Sequence, residues 1–337
     1  MSSGGSTAAL PLLPEHPVVS VVVPARNAGH TLPRAVEAAL AQDPSPAEVV
    51  VAVGPSEDDT AEVAAALATE HRGLVRVVEN PTGRTPDGLN AAIAAARGQV
   101  IARVDTHAVL PPGYLARALA ALRATGAGNV GGIQRPTAED GFARAVASAM
   151  RSPAGTGGAR YRSGSVAGAV DTVYLGVFRR EALEAVGGFG PTFTRNQDAE
   201  LNLRLTRAGY LVWLEPDMVV AYHPRSTLAG LARQYLGYGR WRRHTARVHP
   251  GSLRARQLAA PAVVAGLLGS AVVSAAARDA RPIAVAGGGY LAGVLAAGVQ
   301  AADRLRDAPA TALALAIMHV SWGVGFLQGP PSDEVER

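Results

Sequence analysis

The N-terminal part of the chain alternates short apolar runs with longer amphipathic stretches. The apolar runs are rich in β-branched residues and occupy positions 18–24, 48–53, 75–79 and 100–104. Continuous apolar runs of this kind are typical of strands buried on both faces. Since strands separated by helices form right-handed βαβ units, the pattern predicts an α/β domain with a mostly parallel sheet.

Beyond residue 130 the alternation becomes less regular. Residues 129–136 and 211–215 have the pattern of further strands, and residues 198–210 that of an amphipathic helix ending at a glycine. The segment RSPAGTGGARYRSGS, 151–165, is rich in Gly, Ser and Arg. Its composition predicts a mobile loop.

The last third of the chain contains three windows without a charged residue, at 257–277, 282–302 and 308–332. Each is long enough to cross ~30 Å of hydrocarbon as a helix. We therefore predict three transmembrane or membrane-associated helices over 257–330. The alternative is a soluble helical appendage, because alanine and glycine contribute little insertion free energy.

Charge and composition refine this picture. The chain has no cysteine, which excludes disulfides, thiolate metal sites and cysteine nucleophiles. All 32 basic residues are arginine, and eight of them lie between 225 and 256, where there is no acid. The remaining 24 face 27 acidic residues, a balance of −3, so the positive charge is local and not that of a nucleic-acid binder. The positive-inside rule predicts a cytoplasmic arginine flank at the plasma (inner) membrane, with the C-terminus outside.

These patterns divide the chain into four parts. Residues 1–16 are predicted to be a disordered leader without the features of a secretory signal. Residues 17–225 form the α/β domain, residues 226–256 an arginine-rich interfacial segment, and residues 257–330 the three apolar helices.

Asp105 and His107 follow the strand at 100–104. The carboxyl ends of parallel strands are where open α/β sheets bind ligands. A carboxylate and an imidazole can hold Mg²⁺ or Mn²⁺, which would neutralise a phosphate leaving group. The alternative is a loop aspartate that caps the turn before Pro111. His223, in the sequence AYHPRS, is a candidate third ligand or an ordinary loop histidine.

The sequence NQDAE, 196–200, precedes an amphipathic helix. A carboxylate at a helix N-terminus is favoured in its ionised form. Asp198 is therefore a candidate general base toward a sugar hydroxyl, supported by Asn196 or Glu200. The alternative is a plain helix cap at residue 198, and the two roles are compatible.

The segment RQYLGYGRWRR, 233–243, combines arginine with aromatic residues. Gln234, Arg240 and Trp241 are predicted to line a donor site, with the guanidinium facing a diphosphate and the indole stacking on a ring. An interfacial amphipathic helix with Arg and Trp at headgroup level is the compatible alternative.

Seven motifs together resemble the family 2 glycosyltransferases, inverting enzymes of the GT-A fold, and most of all those of bacterial exopolysaccharide synthesis with C-terminal membrane helices. In chain order the motifs are VVVPARN, GPSEDDT, GRTPDGLN, RVDTH, GVFRREALEAVGGF, NQDAE and RQYLGYGRW. The resemblance covers roughly residues 17–330, and the order of the motifs carries it more than any single one.

The resemblance implies a role for particular residues. Asp105 and His107 take the place of the metal-binding D-x-D, and Asp198 that of the catalytic base. The nucleotide and its diphosphate would be held by residues at the first strand, the following turns and the Q-x-x-R-W-like element, namely Pro24, Arg26, Asn27, Asp58, Arg84, Gln234, Arg240 and Trp241.

Three positions depart from the family pattern. Val53 stands where an acid commonly recognises uridine, and His107 replaces the second carboxylate of D-x-D. Gln197 replaces the glutamate before the base, and a neutral neighbour should leave Asp198 easier to ionise.

The predicted activity is transfer of a sugar from an NDP-sugar to a hydroxyl of a lipid-linked saccharide, with inversion and with Mn²⁺ or Mg²⁺. A polyprenyl-phosphate glycosyl synthase is the nearest alternative. A nucleotidyltransferase fits less well, because ARNAGHT lacks the expected Gly-rich basic loop. A catalytically inactive membrane scaffold is the remaining alternative.

Overall fold

A computed structural model describes residues 10–331, which form two compact units. The first comprises residues up to 134 and 164–221, and the second comprises residues 135–163 and those from 222 onward. The described strands are β1 (Val19–Ala25), β2 (Glu48–Val53), β3 (Val75–Glu79), β4 (Val100–Arg103), β5 (Asn129–Pro136), β6 (Gly168–Ala169), β7 (Tyr174–Arg179) and β8 (Val212–Tyr222).

The described helices follow the same chain order. They are α1 (Leu32–Leu40), α2 (Thr60–Glu70), α3 (Thr85–Ala95), α4 (Tyr114–Thr125), α5 (Gly141–Arg151), α6 (Pro153–Thr156), α7 (Arg160–Ser163), α8 (Arg180–Ala185), α9 (Gln197–Arg207), α10 (Leu228–Val248), α11 (Ala259–Ala277), α12 (Arg281–Ala301) and α13 (Ala308–Gln328).

The strands form one mixed sheet in the order β3-β2-β1-β4-β7-β5-β8-β6. Strands β1 to β4 pair in parallel, whereas β7 runs antiparallel to both β4 and β5. The predicted α/β class and the mostly parallel N-terminal sheet are confirmed. The central strands β1, β2 and β4 are almost fully buried, as their continuous apolar sequences indicate.

The parallel pairing of β1 with β4 determines where the functional site lies. Val22 of β1 lies opposite Arg103 of β4, so the two strands end at the same edge of the sheet. Pro24 and Asp105 each follow this pair by two residues and therefore emerge together at that edge. The βαβ topology thus creates a cleft beyond the carboxyl ends of the strands.

The part of the predicted leader that the structure describes is ordered against the first unit. Residues 10–16 have no helix or strand, but the carbonyl oxygens of Pro11 and Glu15 accept hydrogen bonds from Arg179 and Arg123. Leu10 packs on the core of the unit. The prediction of disorder is therefore wrong for residues 10–16, and residues 1–9 lie outside the described part.

The second unit includes a segment that we predicted within the first domain. Residues 135–163 group with the C-terminal helices. One face of α5 is apolar and packs with α13, and Arg144 of α5 makes a bidentate ion pair with Asp307, at 2.9 Å for both contacts. The segment 151–165, predicted to be a mobile loop, contains the short helices α6 and α7.

Three helices of this unit are long and apolar enough to cross a membrane, namely those at Ala255–Ala277, Arg281–Ala301 and Leu305–Gln328. Their positions match the three predicted windows. Glycines let other helices approach α13 closely, since a Cβ at Gly239 of α10 would lie 2.0 Å from the carbonyl oxygen of Trp322. Small residues at helix contacts are typical of membrane helix packing.

This packing leads to a stability prediction. A Cβ at Gly325 would lie 2.1 Å from the carbonyl oxygen of Leu236, so Gly325→Val must separate α10 from α13. We expect a loss of about 1–3 kcal/mol, measured as a lower Tm of the detergent-purified chain. Gly266→Ala, in α11 with open space around it, is the matched control and should change stability by no more than about 1 kcal/mol. Equal effects of the two changes would contradict the close packing.

Candidate active site

A polar cleft of about 240 Å³ lies at the carboxyl edge of the sheet in the first unit. It is bounded by the ends of β1 and β4, the turn before α3 and the start of α9. The residues that line it are Pro24, Ala25, Arg26, Asn80, Gly83, Thr85, Arg103, Asp105, Thr106, His107 and Gln197. The cleft therefore brings together the predicted metal ligands and the residue next to the predicted base.

Arg103 joins the two key carboxylates. Its Nε donates to Asp105 Oδ1 at 2.9 Å, and its Nη1 donates to Asp198 Oδ1. The guanidinium carbon lies 5.5 Å from the centre of the Phe189 ring, and the residue is only 3% exposed. Two residues separated by 93 positions in sequence thus meet through one buried cation, which fixes Asp105 and Asp198 beside each other.

Asp198 lies in the first turn of α9. The helix begins at Gln197, earlier than predicted, because Asn196 adopts a left-handed conformation with φ of 60° and starts it. The Asp198 side chain is 31% exposed, so a substrate hydroxyl can reach it.

The ionisation of Asp198 differs from our expectation. Burial raises the pKa of Asp198, and the negative charge of Asp105 raises it further, while the Arg103 guanidinium lowers it. The net direction is upward, so a neutral Gln197 and the helix N-terminus do not dominate. A carboxylate with a raised pKa is a stronger base toward an acceptor hydroxyl.

The ionisation of Asp105 differs from that of Asp198. Burial acts to raise the pKa of Asp105, but Arg103 and His107 outweigh this and hold it below its usual value. His107 is exposed and lines the same cleft. A carboxylate and an imidazole, completed by diphosphate oxygens and water, suit Mg²⁺ or Mn²⁺, which usually take only one or two protein carboxylates. The donor set therefore fits a divalent cation.

The described residues contain no preformed cluster that would supply a third protein ligand to a divalent cation. Across residues 10–331, no three His, Asp or Glu side chains lie together as metal ligands. His223 belongs to the second unit, and its predicted role as a ligand stays a prediction.

The predicted nucleotide loop is held by its own polar side chains. Asn27 has a left-handed φ of 48°, and its Oδ1 accepts from the Glu57 amide at 2.8 Å. Asp58 accepts from the Gly29 amide at 3.1 Å and from the Thr60 hydroxyl, and these bonds lower the pKa of Asp58. Asp58 thus ties the β1–α1 loop to the GPSEDDT turn, and its predicted contact with the nucleotide stays a prediction.

Arg84 and Glu200 also have structural partners. Arg84 pairs with Asp87 at 2.7 Å and is not among the residues that line the cleft. Glu200 is 2% exposed and pairs with Arg204 at 2.7 Å, and Arg204 donates to the carbonyl oxygen of Gly188 at 2.8 Å. Glu200 supports the site indirectly, because it holds Arg204, which anchors α9 to the preceding segment.

The three predicted donor residues of α10 lie in the second unit. Gln234 Nε2 donates to the hydroxyls of Tyr222 and Tyr238, at 2.7 and 3.1 Å, and Arg240 donates to Gln328. Trp241 is 1% exposed and packs edge-on against His244. Its indole therefore cannot stack on a ligand ring in this conformation, and that part of the prediction is wrong.

Two residues of this site were missed by the sequence analysis. Arg103 carries a signal, since a charge inside an otherwise apolar buried strand needs a partner. No feature of the sequence indicates a role for Tyr174. It is 7% exposed, its hydroxyl has no hydrogen-bond partner within the described residues, and burial together with the charge of Asp105 raises the pKa of the phenol.

The backbone around Tyr174 is held in an unusual form. Leu175 has a left-handed φ of 46° inside β7, which is costly for a residue with a side chain. The Tyr114 hydroxyl donates to the Leu175 carbonyl oxygen at 2.8 Å and holds this bend. The charges of Asp105 and Asp198 both act to raise the pKa of the Tyr174 hydroxyl.

Replacing Arg103 should alter the pH dependence of the reaction. Because Arg103 lowers the pKa of Asp198, Arg103→Met should raise that pKa further. The acidic limb of kcat/KM should then move to higher pH by about one unit or more. Arg103→Lys keeps the charge and should restore part of the shift. An unchanged acidic limb in Arg103→Met would show that Arg103 does not act on the ionisation of the predicted base.

Comparison with known proteins agrees with this geometry. The sequence profile described as Glycosyl transferase family 2 matches residues 20–187. The chain is 33% identical over 287 residues to the succinoglycan biosynthesis protein ExoA of Rhizobium meliloti (strain 1021), covering 84% of this chain and 86% of that protein.

Two more distant relatives extend the comparison. A dolichyl N-acetyl-alpha-D-glucosaminyl phosphate 3-beta-D-2,3-diacetamido-2,3-dideoxy-beta-D-glucuronosyltransferase of Methanococcus voltae is 23% identical over 230 residues, covering 66% of this chain and 71% of that protein. The solved structure of a mannosyltransferase, PcManGT from Pyrobaculum calidifontis, in complex with GDP-Man and Mn²⁺ superimposes with a TM-score of 0.63. It is 23% identical and covers 96% of this chain and 91% of that chain, which shows a shared GT-A-type fold. The chain therefore belongs to glycosyl transferase family 2.

Proposed function

We propose that this protein transfers a sugar from a nucleoside-diphosphate sugar to a hydroxyl of a lipid-linked saccharide, with inversion at the anomeric carbon. The observation that carries the proposal is the pair of carboxylates, Asp105 and Asp198, joined by Arg103 at one edge of the sheet. One carboxylate is held in its ionised form and the other has a raised pKa. Such a separation of pKa values suits two different tasks.

Asp105 and His107 are proposed to hold the diphosphate end of the donor through a divalent cation. Bound there, Mn²⁺ or Mg²⁺ would neutralise the charge that develops on the departing nucleotide. The Mn²⁺ in the complex of the mannosyltransferase supports a divalent cation in this fold. Arg26, a predicted nucleotide contact, and Gly83 border the same cleft.

Asp198 is proposed to take the proton of the acceptor hydroxyl. The acceptor oxygen then bonds to the anomeric carbon from the face opposite the nucleotide, while the bond from that carbon to the phosphate oxygen breaks. The nucleoside diphosphate leaves with the bonding electrons, and the proton stays on Asp198. Direct displacement inverts the anomeric centre without a covalent intermediate.

A lipid-linked acceptor is supported by three apolar helices and a flanking arginine-rich segment. By name, the Methanococcus voltae relative acts on a sugar attached to dolichyl phosphate, and the ExoA protein acts in succinoglycan biosynthesis. We place the protein in exopolysaccharide or cell-envelope synthesis at the plasma membrane. In this arrangement its catalytic unit lies on the cytoplasmic side and its C-terminus outside.

The test uses the purified full-length chain, a panel of NDP-sugars and either Mn²⁺ or Mg²⁺. We expect NDP release with one donor, stimulated by a lipid-linked saccharide and not by polyprenyl phosphate alone. Stimulation by polyprenyl phosphate would instead assign the polyprenyl-phosphate synthase activity. No NDP release with any donor would support the inactive scaffold.

A further inference from the structure

A buried arginine in the second unit has no acidic partner. Arg162 of α7 is 8% exposed, and no Asp or Glu of residues 10–331 forms an ion pair with it. Its Nε donates to the Tyr161 hydroxyl at 3.1 Å, and its guanidinium lies 5.4 Å from the centre of that ring. The buried Nη1 atom has no hydrogen-bond partner in the described part of the chain. An arginine is always charged, so a full positive charge is buried here.

Two phenols of α10 are near enough to this cation to interact with it electrostatically. Tyr235 and Tyr238 both interact electrostatically with Arg162, and burial raises the pKa of each phenol, which keeps both hydroxyls protonated as donors. Gln234 donates to the hydroxyls of Tyr222 and Tyr238 and so orders them. The result is a buried guanidinium near tyrosine hydroxyls, and none of the described carboxylates pairs with it.

Burying a charge without a counter-ion costs free energy, which makes an anion the ligand that this cluster fits. Arginine donates two parallel hydrogen bonds to a phosphate oxygen pair, and tyrosine hydroxyls complete such a site. The apolar surroundings in the second unit indicate what kind of molecule carries the phosphate. Tyr235 belongs to the apolar cluster that includes Leu315 and Met318 of α13, and α11 and α12 expose long apolar faces.

We propose that Arg162, together with the hydroxyls of Tyr161, Tyr235 and Tyr238, binds the phosphate group of the lipid-linked acceptor. The site lies outside the residues predicted to hold the donor or the metal, apart from Gln234, which orders the tyrosines. The proposal rests on the proposed function, since it names where the lipid carrier of that acceptor is held.

Binding without turnover tests this proposal separately from the activity. Detergent-purified full-length chain is titrated with geranylgeranyl phosphate and with geranylgeraniol, which lacks the phosphate. We expect Arg162→Met to weaken the phosphate lipid about tenfold or more, the value of one charged hydrogen bond, and to leave the alcohol unchanged. Arg162→Lys should show a smaller loss. Arg233→Met, an exposed arginine of α10, is the matched control and should behave as the unaltered protein.

A stability measurement separates ligand binding from a structural role. If Arg162 is a buried cation kept for an anion, Arg162→Met should raise the Tm of the lipid-free protein and reduce the stabilisation by geranylgeranyl phosphate. A lower Tm in Arg162→Met would make the residue structural and overturn the proposal.

The remaining outcomes of these titrations also test the proposal. Equal losses for the phosphate and the alcohol, or no loss for either, would overturn the proposal. So would weaker binding of GDP or UDP with Mn²⁺ alongside unchanged lipid binding, because it would assign the anion site to the donor. Failure to find an NDP-sugar substrate would overturn the proposed function and leave these lipid titrations readable.

Discussion

Asp198→Asn is expected to reduce kcat by about 100- to 10,000-fold, the usual contribution of a general base. The asparagine amide keeps the size of the side chain but cannot accept a proton from the acceptor hydroxyl. NDP binding should stay within about twofold, because in the structure Asp198 contacts Arg103 and is not among the residues that line the cleft. The measurement is NDP release under saturating donor and acceptor, with NDP affinity measured separately.

Asp217→Asn provides the control for that experiment. Asp217 is an exposed aspartate of β8 in the same unit, so its replacement should leave kcat unchanged. If Asp198→Asn retained turnover close to that of the control, the general base would have to be another group, and a phosphate acceptor that needs no base would become the better account.

Asp105→Asn should lower kcat/KM on the order of 1,000-fold, since charge neutralisation by a bound metal is worth several kcal/mol in the transition state. The same change should weaken Mn²⁺ binding, which electron paramagnetic resonance of free Mn²⁺ measures without turnover. EDTA should abolish the activity of the unaltered protein, and Mn²⁺ or Mg²⁺ should restore it.

His107→Ala sharpens the test of the proposed metal site. Removing the imidazole should weaken Mn²⁺ binding less than Asp105→Asn does, because a carboxylate carries the negative charge of the site. Activity that persists unchanged in EDTA, together with normal Mn²⁺ binding by Asp105→Asn, would contradict a metal-assisted reaction at this edge of the sheet.

The βαβ half of the fold was predictable because its signal is local. Each of β1 to β4 is a continuous apolar run between helical stretches, and the observed bounds differ from the predicted ones by a residue or less. Asp105 and His107 followed from the same logic, since the end of a buried parallel strand places its next polar residues at the ligand-binding edge.

What the sequence did not reveal depends on contacts between distant positions. Arg103 is separated from Asp198 by 95 positions, and nothing in the sequence VIAR of β4 indicates that Asp198 is its partner. The pKa of Asp198 is raised by burial of its side chain and by the negative charge of Asp105, and not by its neighbour in sequence. The sequence comparison of Gln197 with a glutamate at that position left out burial and the distant carboxylate, which act more strongly on Asp198.

The second unit shows the same limitation for helices. Arginines at 240, 242, 243 and 247 made α10 resemble an interfacial helix with an accessible tryptophan. In the structure, glycines on α10 and α13 allow close packing, and Trp241 is buried. The sequence shows the glycines but not which helix they meet, so the partner could not be named in advance.

The most direct test of the central claim is a crystal structure of the full-length chain with NDP and Mn²⁺, using anomalous scattering to place the metal. We predict one Mn²⁺ peak about 2.0–2.6 Å from an oxygen of Asp105 and bonded to the diphosphate, with Asp198 facing the sugar pocket. A peak away from Asp105, or a diphosphate bound outside the cleft at the ends of β1 and β4, would contradict the account.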